Sequence, residues 1–183
     1  MRALGTLVAT SDVANGRSPA YDIVLLAHVL SAMVGFGAVV VAGGYALALR
    51  HAGPGGEAVR RYYRPGINWG GRVLFLVPVL GVALIAMSHG RWGYSDGWVG
   101  LGLVLWAAAA TVAEMALWPT ERRLQQLVAA LPTGARSPEP GTPEPPGPTQ
   151  EAELQALCLR AVLLAALLFV VAVVATVVRV AKP

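Results

Sequence analysis

Apolar residues in this chain gather into four long runs, at about 21–49, 69–89, 97–118 and 161–178, and nearly all the charge lies between them. A helix needs about 20 such residues to cross the hydrocarbon of a bilayer. Inside lipid each segment must pair its own amides, so every run is expected to be helical. The pattern predicts an all-α polytopic membrane protein, an up-down four-helix transmembrane bundle with a short amphipathic cytoplasmic helix.

The first run opens at Ser18-Pro19, where a serine accepts free amides and a proline fits the first turn. Asp22 suits the positive end of that helix. Ala27, Ser31, Gly35 and Gly43 recur on one ridge, broken only by Val39, so a second helix is expected to approach it closely. In the second run Pro78 removes a backbone donor and predicts a kink. The third run holds Glu114 and ends at Trp118-Pro119. Beyond it Leu124, Leu127, Val128 and Leu131 keep a helical spacing among Arg122, Arg123, Gln125 and Gln126. That amphipathic segment is expected to lie on the membrane surface.

Residues 1–20 read as an outer N-terminal tail, and 21–131 as spans one to three with the interfacial helix. Residues 132–150 hold seven of the 13 prolines and read as a disordered cytoplasmic linker. Residues 151–183 supply the fourth span and a short outer tail.

Charge adds the orientation. Arg50, Arg60, Arg61, Arg64, Arg72, Arg122, Arg123, Arg136 and Arg160 fall on one side of the spans. Arg2, Arg17, Arg91, Arg179 and Lys182 fall on the other. The side richer in arginine is expected to be cytoplasmic, giving N-out and C-out. Tyr21, Trp92, Tyr94 and Trp98 would mark the outer interface, and Tyr62, Tyr63, Trp69 and Trp118 the inner one. The net charge of +4 is thereby explained by topology, not by a nucleic-acid partner. Thirteen arginines to one lysine, with abundant Ala, Gly and Pro, fit a bacterial protein of the inner membrane.

Candidate chemistry is sparse. Cys158 is the only cysteine, which excludes an intrachain disulfide and a thiolate metal cluster. No phosphate loop, zinc-spaced cluster or acid pair stands out. Gly35-Phe36-Gly37 lacks the strand and third glycine of a dinucleotide loop, and His89, Ser95 and Asp96 share one short turn. Ionisable groups in spans are costly and mark candidate sites. His28, His89 and Met87 could ligate haem b or copper near the outer leaflet. The alternative is that His28 bonds a neighbouring carbonyl and that His89 is solvated. Arg72 and Glu114 stand at similar depth and are expected to form a structural ion pair, with a proton-relay carboxylate as the alternative.

The stretch from Ala27-His28-Val29-Leu30 to Gly35-Phe36-Gly37 resembles the opening helix of a bacterial four-span integral-membrane family of unknown function. That family is loosely similar to membrane bundles of the copper-resistance D type and of the haem-binding protoporphyrinogen oxidase type. The resemblance implies a role for His28 alone. The lysine expected of the oxidase type has no counterpart, since Lys182 lies in the tail. Together these features point to a non-catalytic or accessory protein that binds haem or a metal. The alternatives are a structural subunit, partnered by other membrane proteins or by itself, and a small transporter acting as an oligomer.

Overall fold

The computed structural model describes residues 18–53, 56–131 and 147–180. The tail and most of the Pro-rich linker expected from the sequence lie outside the described residues. Among the described residues seven α-helices follow in order: α1 (Pro19–Ala52), α2 (Glu57–Tyr62), α3 (Trp69–Arg72), α4 (Leu76–Ala86), α5 (Gly97–Val112), α6 (Trp118–Ala130) and α7 (Pro148–Val180). A 3-10 turn, Val73–Phe75, joins α3 to α4, and a π turn, Ala113–Leu117, joins α5 to α6. The result is four helices long and apolar enough to cross a membrane, the make-up of a multi-pass membrane protein. Leu26, Met33, Val79, Val104, Leu163 and Val170 point outward, as a lipid solvent requires.

The starts of the first and last helices, and both irregular turns, have local causes. Ser18 caps α1 by accepting from the Tyr21 amide at 3.2 Å. The 3-10 turn stands just before Pro78, which cannot donate to the Leu74 carbonyl. The π turn stands just before Pro119, which cannot donate to the Met115 carbonyl. Pro148 opens α7, so the fourth helix begins three residues inside the stretch assigned to the linker.

The helices do not pack as a uniform ring. α1 and α7 form the centre, α3–α4 leans on α1, and α5–α6 leans on α7. Close approach depends on the ridge of small residues. A Cβ placed on Gly43 would lie 2.7 Å from the Ala165 Cβ, and one on Gly35 would lie 2.9 Å from the Leu74 amide nitrogen. Ser31, Gly35, Val39 and Gly43 are all buried, as the spacing predicts. The second and third spans instead meet chiefly through long side chains.

One expectation is corrected. The amphipathic segment does not lie apart on a membrane surface. It continues the third span, and Leu124, Leu127 and Val128 turn inward against Leu154 and Cys158. α7 covers this apolar face because its first turns project as far as α6 does.

Candidate functional site

The polar residues of the described chain concentrate where the second and third spans enter their arginine-rich end. Positions 114, 118, 121 and 125 recur every three or four residues, so they share one helical face. The chain from Gly66 to Arg72 runs antiparallel along that face. Gln125 Nε2 donates to the Gly66 carbonyl at 3.4 Å. Glu121 accepts from the Tyr62 hydroxyl at 2.9 Å, and that hydroxyl accepts from Asn68 Nδ2 at 3.4 Å. The Trp118 ring fills the space beside Gly71 and carries the Arg72 guanidinium 4.9 Å above it. Arg72 Nη1 then lies 3.9 Å from Glu114 Oε1.

This seam has two parts. Glu121 is 6% exposed, and the Tyr62 ring stacks on Tyr45 at 4.2 Å and 7°. Burial, and then the nearby Glu121 charge, push the Tyr62 phenol well above its ordinary value, so it stays protonated and donates. Tyr63 is buried beside it and shifted in the same direction, chiefly by desolvation. The Arg72–Glu114 pair is open by contrast, its side chains 38% and 43% exposed.

Further along the second span, the Leu74 carbonyl, to which Pro78 has no amide to donate, gains a partner from the third span. The Trp106 indole donates to the Leu74 oxygen at 3.0 Å, with Phe75 edge-on to the same ring. His28 Nδ1 donates to the Val77 carbonyl at 2.9 Å, which sets the tautomer because a carbonyl only accepts. Gly81 leaves room for the ring, since a Cβ there would lie 3.4 Å from His28 Cε1.

His28 packs beside Gly81 of α4, whereas Met87 caps that helix and His89 lies in the turn beyond it. His89 is exposed and holds a left-handed conformation, φ 50°, in the turn after α4. Histidine is among the residues that tolerate this conformation. Among the described residues no three His, Cys, Asp or Glu side chains stand close enough to hold a metal ion. Asp96 is occupied locally, its carboxylate accepting from the Gly93 amide at 3.0 Å. Of the sequence candidates, Arg72 and Glu114 are brought together as an ion pair.

Sequence reasoning missed Glu121, Tyr62, Asn68 and Trp106. A signal for Glu121 was present: it follows Glu114 by seven residues, two turns along one face. No family model, curated protein or solved structure matches this chain.

Proposed function

We propose that this chain is a non-catalytic accessory protein of the bacterial inner membrane, which packs against another membrane protein through the Arg72–Glu114 margin of its second and third spans. The observation that supports the reading is the half-exposed ion pair on helices of spanning length. Charged groups at membrane depth favour a protein interior over lipid. A partner helix carrying polar groups at the same depth would cover the pair and supply the hydrogen bonds that 3.9 Å leaves unmade. The deeper polar groups favour the same reading. His28, Trp106 and Ser31 each bond a backbone carbonyl within the bundle.

Haem b and copper have weaker support in the donor set. His28 would be the first ligand, its Nδ1 bond orienting the ring as ligating histidines are oriented. Met87, which caps α4, or His89, in the turn beyond it, would be the second.

The test is cross-linking in native membranes, followed by purification in mild detergent with an absorption spectrum. The expected result is a discrete complex with a second membrane protein, lost when Arg72→Ala and Glu114→Ala are combined. A monodisperse lone chain, or a complex of this chain alone, would overturn the reading. So would a Soret band that disappears in His28→Ala.

A further inference from the structure

The loop between α2 and α3 presents an unusual surface. Residues 63–68 are fastened from within: Tyr63 is 2% exposed, Tyr62 holds Glu121, and Gln125 holds the Gly66 carbonyl. Fixed in this way, the loop turns two large apolar side chains outward. Ile67 is 60% exposed and Trp69 is 71% exposed. A folded domain in water would be expected to bury such neighbours. At the end of a membrane span they fall at the level where lipid headgroups meet acyl chains.

Cations surround the same loop. Arg61 lies in the last turn of α2, and Arg64 follows one residue after the cap at Tyr63. Both are exposed. Arg122 is exposed on α6, one turn nearer the membrane than Gln125 and displaced from the buried ridge toward the outer face of the helix. The arginines nearby on the bundle are engaged: Arg60 donates to the Leu131 carbonyl, Arg72 meets Glu114 and Trp118, and Arg123 meets Glu153 at 2.7 Å. Arg61, Arg64 and Arg122 pair with no acid among the described residues.

We infer that Arg61, Arg64 and Arg122, with Ile67 and Trp69 beneath them, form a binding surface for the headgroup and upper acyl chain of an anionic phospholipid. Guanidinium groups match phosphate oxygens by paired hydrogen bonds. The indole and the isoleucine supply the apolar contact that a free phosphate could not use. Charge complementarity and the join of apolar to cationic surface both select a membrane lipid as occupant. This inference stands apart from the accessory reading, because it uses neither Arg72 nor Glu114.

The experiment uses the full chain in nanodiscs of phosphatidylglycerol or phosphatidylcholine, with retained lipid counted by native mass spectrometry. Phosphatidylglycerol should be retained preferentially and should raise the thermal midpoint. Each arginine near a leaflet is worth about a fivefold gain, so Arg61→Ala, Arg64→Ala and Arg122→Ala together should reduce the preference at least about tenfold. The corresponding three lysine substitutions should preserve most of it and control for folding. Chain-brominated phosphatidylglycerol should quench wild-type fluorescence more than that of Trp69→Phe. Equal retention of the two lipids would overturn the inference, as would an unchanged preference in the folded alanine variant. Displacement of the lipid by millimolar inorganic phosphate would assign the site to a free anion instead.

Discussion

The two seams that hold the second and third spans in place use opposite means. Against α1 and α7 they rely on the absence of side chains. Gly35 admits the backbone at Leu74, and Ala109 and Ala113 are buried in the core, just as Gly43 admits Ala165 where α1 meets α7. Against each other they rely on large and polar side chains, from Gln125 and Glu121 through Trp118 to Trp106. Lipid supplies no hydrophobic drive between helices, so contact must come from close packing or from hydrogen bonds. Each seam illustrates one of these solutions. The close-packed seam should fail by collision and the polar seam by loss of partners.

Collision should produce the largest effect. At Gly35 an added side chain meets the backbone of Leu74, which cannot rotate aside. At Gly43 an alanine would add only a methyl, but it meets the Ala165 Cβ, which is fixed to its own backbone, so a helix must shift. Gly35→Val should therefore cost about 3 kcal/mol, the upper part of the range for overpacking, and Gly43→Ala about 1 kcal/mol. Thermal unfolding in a single detergent would rank them. Near-equal stability of Gly35→Val and the parent would show that the first and second spans are not held by close approach.

The polar seam can be broken with a built-in control. Trp106→Phe keeps an aromatic ring beside Phe75 but removes the donor to the Leu74 carbonyl. Losing a buried hydrogen bond of this kind costs about 0.5–1.5 kcal/mol. Pro78→Ala returns the backbone amide that a regular helix would aim at that carbonyl. In the Pro78→Ala background, Trp106→Phe should thus cost clearly less than it does alone. Additive costs would mean that the indole stabilises the seam by packing only, and the comparison of the two seams would have to be redrawn.

These expectations also mark what could be read from the chain. The spans were legible because hydropathy and length are local quantities, and the ridge through Ser31, Gly35, Val39 and Gly43 was legible because a helix fixes which residues share a face. Arg72 and Glu114 could be paired from depth alone. Pro78 announced a missing amide, but not that Trp106, 28 residues later in the chain, would answer it. Glu121 was obscured for a different reason. In a segment bearing Arg122, Arg123, Gln125 and Gln126 it reads as one more solvated group. Its burial depends on α7 covering the opposite face of α6 while the Tyr62–Asn68 loop folds over it. His28 and His89 share a residue type and an end of the bundle, but His28 bonds a carbonyl of the second span while His89 stands exposed in the turn after it.

The smallest effect on folding is expected within the polar seam itself, where its two carboxylates should part company. Glu121→Leu leaves the buried Tyr62 hydroxyl with no acceptor and removes the anchor of the α2–α3 loop, for about 1–3 kcal/mol. Glu114→Gln changes an ion pair that is 3.9 Å long and largely open, worth at most about 1 kcal/mol after solvent screening. If the margin is a contact surface, Glu114→Gln should leave the unfolding midpoint of the isolated chain almost unchanged while weakening its cross-linked complex. Glu121→Leu should lower the midpoint whether or not a partner is present. A Glu114→Gln protein destabilised as much as Glu121→Leu would place both carboxylates in one structural unit. The margin at Arg72 would then belong to the bundle's own cohesion, with nothing left over to present to another protein.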